Sequence, residues 1–170
     1  FGTLRGYVGT DLARHTSSIR PIECPFTGER LTAVPALNPD VAIIHAQRAD
    51  RHGNVQMWGL VGVQKEAVLA ATRSIVTVEE IVPERVIGEQ PEDTLLPGFL
   101  VEAVVHVPYG AHPAGMFRHY NFDRQHVEHY VRAGKSPETF RQYLEEYVFG
   151  VPDHYAYLGK IGIRRLMALR

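Results

Sequence analysis

The groups in this chain that could do chemistry are carboxylates, tyrosines and histidines on short segments beside apolar runs. Glu79 and Glu80 stand together directly after Ser74 to Val78 (SIVTV). Two adjacent carboxylates can ionise differently and share acid/base work, or one can bind a substrate hydroxyl. The bland alternative is that they are solvated or cap the next segment. A second segment, Tyr109-Gly110-Ala111-His112-Pro113-Ala114-Gly115, follows the run VVHVP. Its glycines allow a ligand to approach the backbone closely, or make an ordinary Gly/Pro turn. A third, Arg48-Ala49-Asp50, leads into DRHGN, which is turn chemistry first of all.

Other chemistries find no support. There are nine histidines, and His126 and His129 stand at i and i+3, so a helix would place them on one face. A zinc site needs a third and fourth ligand. His106, His112 and His119 show no ligand-type spacing, and neither HExxH nor CxxC occurs, so no metal site is expected. The sequence has no G-x-S-x-G, no G-x-G-x-x-G and no phosphate loop. Gly59 to Gly62 (GLVG) reads as a packing turn. Cys24, the one cysteine, lies between Glu23 and Pro25 with no neighbouring histidine, and an inert thiol is expected. A single cysteine rules out an internal disulfide and fits a reducing cytoplasm.

The elements that must position these groups follow from pattern. Val41 to Gln47 (VAIIHAQ), Ser74 to Val78 and Val101 to Val107 are apolar runs of the kind that form strands buried on both faces. Val55 to Trp58 is expected to return from the DRHGN turn as another strand. Lys65 to Thr72 is rich in helix formers. Strand, helix, strand with short links implies a parallel sheet, and ligands then bind beyond the carboxyl ends of the strands. Residues 18 to 37, with prolines at 21, 25 and 35, read as extended chain with turns.

The end of the chain changes character. Asp123 can cap a helix over 124 to 132, and Ser136-Pro137-Glu138 is a helix start. Behind it, Phe140, Tyr143, Leu144, Tyr147 and Val148 form one stripe closed by Gly150. Such a stripe is core or subunit interface before it is a ligand box. In all, 170 residues with 45% apolar content make one ordinary domain, expected as a single α/β body over 1–170. The net charge of −1 carries no basic excess for nucleic acid. No apolar run nears the roughly 20 residues of a membrane helix, and no leader is visible. The chain opens on Phe1, so a preceding part is allowed for.

Read together, five segments resemble the alpha subunits of family I CoA-transferases of the glutaconate type. They are Arg5 with Gly9-Thr10-Asp11, Pro25 to Gln56 (PFTGERLTAVPALNPDVAIIHAQRADRHGNVQ), Thr77 to Val82 (TVEEIV), Leu96 to Gly115 (LPGFLVEAVVHVPYGAHPAG) and Tyr147 to Gly162 (YVFGVPDHYAYLGKIG). The resemblance implies an open α/β fold with a mostly parallel sheet and a helical C-terminal segment. It implies that the chain corresponds to the C-terminal portion of such a subunit. It also implies CoA transfer from an acyl-CoA to a carboxylic acid, with a beta-type partner subunit. The nucleophilic glutamate then belongs to that partner, so no catalytic residue is expected in this chain, which would shape the acyl pocket. Coenzyme A is a substrate, and no bound cofactor or metal is implied. Arg5 matches the arginine of the family's R-x-x-x-G-T-D segment and would hold a substrate carboxylate, or serve a structural ion pair. Glu79, Tyr109, Gly110 and His112 are the other expected substrate-lining residues. Two alternatives stand beside this: a subunit of a ring-opening acyl-CoA hydrolase of steroid catabolism, and a non-catalytic assembly subunit that holds its partner through the aromatic helix.

Overall fold

The breaker Asn38-Pro39 marks a division in the computed structural model, which describes residues 1–170 as two units, Phe1–Pro39 and Asp40–Arg170. In the first, β1 (Gly2–Leu4), β2 (Arg20–Glu23) and β3 (Arg30–Val34) make an antiparallel sheet in the order β1-β3-β2. The segment expected to be extended with turns is therefore a hairpin. Its turn closes where Gly28, at φ +71°, donates its N–H to Cys24 O at 2.9 Å. Between β1 and β2, Thr10 caps the short helix α1 (Asp11–His15), its hydroxyl accepting from Ala13 N.

The second unit is built on a five-stranded sheet in the order β7-β5-β4-β6-β8. Its strands are β4 (Val41–Ala49), β5 (Val55–Gln56), β6 (Arg73–Ile81), β7 (Thr94–Leu96) and β8 (Ala103–His106). The three strands expected from apolar runs are β4, β6 and β8, and they pair in parallel, Ile43 beside Ile75 and Val76 beside Val104. The helix α2 (Gln64–Ala70) lies on the crossover from β4 to β6, and α3 (Glu84–Gly88) on the path to β7. β5 returns through a tight turn and so can only pair antiparallel with β4, as β7 does with β5. The sheet is thus mixed, with a parallel centre.

Asp50 makes that turn. Fully buried, it accepts from His52 N (2.9 Å) and Asn54 N (3.0 Å) on one oxygen and from Asn54 Nδ2 (2.8 Å) on the other. Asn54 Oδ1 in turn accepts from Gly98 N at 3.0 Å, tying the turn to the approach to β8.

The core packs Ala42, Ile44, Ala46, Val76 and Val78 against Val55, Leu96 and Val68 of α2. Burial on both faces, expected for β4 and β6, holds only toward their carboxyl ends, where Ala46 and Gln47, and Val78 and Glu79, are buried in succession. In the amino half of β4 alternate residues face out, and Ile43 is 71% exposed. The physical reason lies in the connections. Val68 and Ala71 at the end of one crossover, and Leu96, Leu100 and Val101 in the other, all pack into the same cluster.

Four helices finish the chain: α4 (Arg124–Ala133), α5 (Pro137–Leu144), α6 (His154–Ile161) and α7 (Ile163–Ala168). Asp123, Ser136 and Asp153 cap the first three, each side chain accepting from the N–H three residues on. A π turn over Glu145–Phe149 extends α5 until Gly150 closes it. No helix is long and apolar enough to cross a membrane.

Asp50→Ala leaves two half-buried N–H groups of the turn without their acceptor, and urea denaturation is expected to show a loss of about 1–3 kcal/mol. Arg51→Ala, at the exposed neighbour, is expected to cost under about 0.5 kcal/mol.

Candidate functional site

At the carboxyl end of β6 the chain buries Glu79, 6% exposed, and surrounds it with donors. His45 of β4 places Nε2 at 2.7 Å from Oε1, and Tyr109 donates its N–H to Oε2 at 2.7 Å. The hydroxyl of Tyr120 donates to Oε1 and accepts from Ala111 N at 3.0 Å. Burial alone would raise the Glu79 carboxyl. The hydrogen bonds from His45, Tyr120 and Tyr109 outweigh it and hold the group below the usual carboxylate range. For Tyr120, burial and then the adjacent carboxylate push the phenol far above its ordinary value. The second ring nitrogen of His45 is 2.8 Å from Thr77 Oγ1, and that hydroxyl donates to Ile44 O.

The loop after β8 is shaped to reach this carboxylate. Tyr109 takes φ +56°, a left-handed conformation uncommon for a bulky residue, and its ring lies 4.7 Å from that of Tyr120. At Gly110 a Cβ would come within 2.5 Å of His45 Cε1 and 2.8 Å of Val107 O. Only glycine fits there, and the close neighbour is the His45 ring.

A second polar cluster holds the other end of the loop. His112 Nε2 is 3.1 Å from Asp123 Oδ2, and its Nδ1 faces the hydroxyl of Tyr157. Arg165 donates to Asp123 Oδ1 at 2.7 Å. Burial works against the Asp123 charge, but Arg165, the His126 N–H and His112 prevail and drive its pKa far down. Burial pushes His112 down, against the pull of Asp123. His126, 2% exposed, is lowered to about 4, first by burial and then by His112. Its ring stands 4.8 Å from Tyr147 and 6.3 Å from His129, so the shared helix face predicted for the two histidines exists and packs on the tyrosine stripe.

Of the expected substrate-lining residues, Glu79, Tyr109 and Gly110 are brought into one cluster, with His112 in the adjoining one. Glu80 is exposed on β6, 3.6 Å from His119 Nε2. Arg5 belongs to the first unit, where its Nε lies 3.0 Å from Glu29 Oε1 and its side chain is 82% exposed. Cys24, expected to have nothing lowering its pKa, is held below the thiol range by hydrogen bonds from Thr27 and the nearby amides. A cavity of about 370 Å³ opens beside the Glu79 cluster, walled by His45, Met57, Trp58, Leu60, Met116 and Phe117. Gln47, fully buried, donates to Trp58 O at 2.9 Å and fixes that wall, while the indole N–H of Trp58 is buried without a partner. Gly59, at φ +88°, lets the GLVG turn pass against the Phe117 ring. A larger hollow of about 600 Å³ runs along α5 and contains none of the expected residues.

Sequence reasoning missed His45, Trp58 and Tyr120. For His45 a signal existed: a titratable ring inside the apolar run VAIIHAQ must find polar partners once the strand is packed. For Trp58 and Tyr120 none was visible, because their roles depend on long-range pairing.

Two outcomes follow from these clusters. Glu79→Gln turns an amide N–H₂ toward existing donors, and a stability loss of about 2–4 kcal/mol is expected by urea denaturation. Because His126 is depressed when folded, the unfolded chain binds the extra proton. The contribution is therefore complete above the unfolded histidine value near 6.5 and is lost as pH falls toward 4. Stability is expected to drop by about 2 kcal/mol between pH 7 and pH 5, and His126→Gln is expected to flatten that slope. Asp123 adds its own loss only at lower pH, below the ordinary aspartate range.

Comparison with known proteins gives this geometry a family. The family model for Coenzyme A transferase matches residues 8–107. The chain is 45% identical over 161 residues to the A-type subunit of 3-oxoadipate CoA-transferase from Pseudomonas knackmussii, covering 95% of this chain and 56% of that protein. It is 41% identical over 150 residues to the A-type subunit of glutaconate CoA-transferase from Acidaminococcus fermentans, covering 88% and 47%. The crystal structure of glutaconate coenzyme A-transferase from Acidaminococcus fermentans superposes with a TM-score of 0.95 at 35% identity, over 99% of this chain and 58% of that one. The chain thus spans about half the length of the curated relatives it matches. The expected α/β sheet with a parallel centre and a helical C-terminal segment is thus shared with that structure, and this chain belongs to the Coenzyme A transferase family.

Proposed function

We propose that this chain is the alpha-type portion of a CoA-transferase that moves CoA from an acyl-CoA to a carboxylic acid together with a beta-type subunit. One observation supports the division of labour most directly. The cavity beside β4 has no carboxylate among its lining residues, and the buried one bonded to its wall, Glu79, already accepts from three donors. A nucleophilic carboxylate needs a free oxygen lone pair and freedom to approach the thioester carbon. Glu79, gripped at both oxygens by His45, Tyr120 and the Tyr109 amide, lacks that freedom, so the attacking glutamate is assigned to the partner subunit.

In the reaction so proposed, the partner's carboxylate attacks the thioester carbon and CoA thiolate leaves, giving a mixed anhydride. The thiolate then attacks the glutamyl carbonyl, releasing the first acid and leaving a glutamyl-CoA thioester. The acceptor acid reverses these steps. The share of this chain is to wall the acyl site with Trp58, Met116 and Phe117. Arg5, whose guanidinium is exposed, is the group suited to hold a substrate carboxylate. Glu79, Tyr109 and Gly110 act on the site by fixing its wall. The chain is also 30% identical to the cholesterol ring-cleaving hydrolase IpdA subunit of Rhodococcus jostii, but the 45% and 41% identities above favour transfer over hydrolysis.

The test is to co-produce the complete alpha polypeptide with its beta-type partner and measure CoA exchange between acyl-CoA donors and a panel of free acids. Exchange is expected, with a borohydride-reducible thioester on a glutamate of the partner. Arg5→Ala is expected to lower kcat/KM about tenfold or more. A well-folded complex with no exchange on any acid overturns the proposal, and unchanged turnover in Arg5→Ala removes Arg5 from the site.

A further inference from the structure

The walls that this chain gives the cavity beside β4 offer no uncompensated charge. Met57, Trp58, Leu60, Met116 and Phe117 make them largely apolar, and no lysine, arginine, aspartate or glutamate lines the space of about 370 Å³. Three residues bring polar side chains, and two of these are already committed. His45 has Nε2 on Glu79 and Nδ1 on Thr77, so both ring nitrogens are taken, and any charge on the ring is offset by the buried carboxylate. Gln47, fully buried, donates to Trp58 O at 2.9 Å and accepts from Trp58 N at 3.4 Å. Gln64 is different. Half-buried at the start of α2, it lines the same cavity with a carboxamide that bonds to no other group of the chain. That carboxamide holds two N–H donors and one acceptor oxygen.

We propose that the acyl group received here is uncharged beyond its reacting carbonyl: an aliphatic chain carrying one neutral oxygen, a ketone or a hydroxyl, which Gln64 binds. The inference rests on the CoA-transfer reading above and names the substrate class of that site. A second carboxylate on the chain exchanges its water for methionine, leucine and aromatic side chains, and an unpaired charge in such surroundings is costly. One carboxamide replaces only part of a carboxylate's hydration, and no cation on these walls supplies the rest. A ketone or hydroxyl needs a single partner. Gln64 serves either, donating to a C=O or accepting from an O–H. A site built around such a bond discriminates against the chain that lacks it, because the polar group of the protein is then left unpaired. Arg5 accordingly serves the reacting carboxylate, which every acceptor acid carries, and not the far end of the chain.

The experiment uses the complete alpha polypeptide in complex with its beta-type partner and three five-carbon CoA probes: valeryl, levulinyl and glutaryl. Their chains end in a methyl, a methyl ketone and a carboxylate. Each is made as a thioether, which binds without reacting, and its Kd is measured by calorimetry; the matching thioesters are then assayed for CoA exchange. The levulinyl probe is expected to bind about tenfold more tightly than the valeryl probe, and the glutaryl probe about 30-fold more weakly than the levulinyl one. Gln64→Ala is expected to bring the levulinyl-to-valeryl ratio to about one, and Gln64→Lys, which adds a cation, to move the preference to glutaryl. Tightest binding of the glutaryl probe by the unaltered complex overturns the proposal. So does equal binding of levulinyl and valeryl, or a ratio that Gln64→Ala leaves unchanged. Should a variant fail to fold, the order of the three probes on the unaltered complex still decides. Absence of exchange with the binding order intact counts against transfer alone, and exchange with the opposite order counts against this substrate class alone.

Discussion

Everything at the site turns on one buried carboxylate. Glu79 is ionised inside the protein, and a buried charge persists only when hydrogen bonds replace the water it has lost. Its donors come from three places far apart in sequence: His45 on β4, the backbone of Tyr109 after β8, and Tyr120 beyond the 107–115 loop. Each must be in position before the charge is tolerable. The carboxylate therefore acts as a constraint on folding, fixing the parallel register of β4 and β6 and the path of the 107–115 loop together.

This distinguishes a polar residue that holds a site from one that works in it. A pair of adjacent glutamates after a strand reads in sequence as possible acid/base chemistry. The structure separates them: Glu80 points to solvent, while Glu79 is consumed by its donors. The same holds for Gly110, whose missing side chain makes room for the His45 ring. What remains open to a small molecule is the largely apolar cavity next to them, whose polar lining comes from His45, Gln47 and Gln64.

Much of the fold was legible because local signals and tertiary packing agree. Asp123 and Ser136 announce their helices as caps, and the apolar runs of β4, β6 and β8 announce the parallel centre. Agreement fails where the deciding contact is remote. VAIIHAQ looks like a strand buried twice over, yet whether Ile43 is covered depends on which face the crossovers take, and nothing within seven residues encodes that. The stretch from Tyr155 to Met167, rich in glycine and basic residues, hid two short helices, although Asp153 offered the same cap signal as Asp123. For the site, the loop carrying Tyr109 and His112 stood out by its glycines. His45 and Trp58 did not, since a single ring in an apolar run is informative only once its partners are known.

The loop itself shows why such a site can be rigid without regular structure. On one side Glu79 binds the amide of Tyr109. On the other, His112 is fixed between Asp123 and Tyr157, and His154 Nε2 donates to Pro108 O at 2.6 Å. The groups that grip it come from the sheet and from the C-terminal helices, so neither element alone defines its shape. Asp123 is shared further: it caps α4 through His126 N and pairs with Arg165 of α7. A disturbance in the helical tail thus reaches the loop through His112 and Asp123, and the aromatic stripe of α5 packs on His126 within the same network. The C-terminal helices are in that sense part of the wall of the site, because the polar contacts that order the loop cannot form without them.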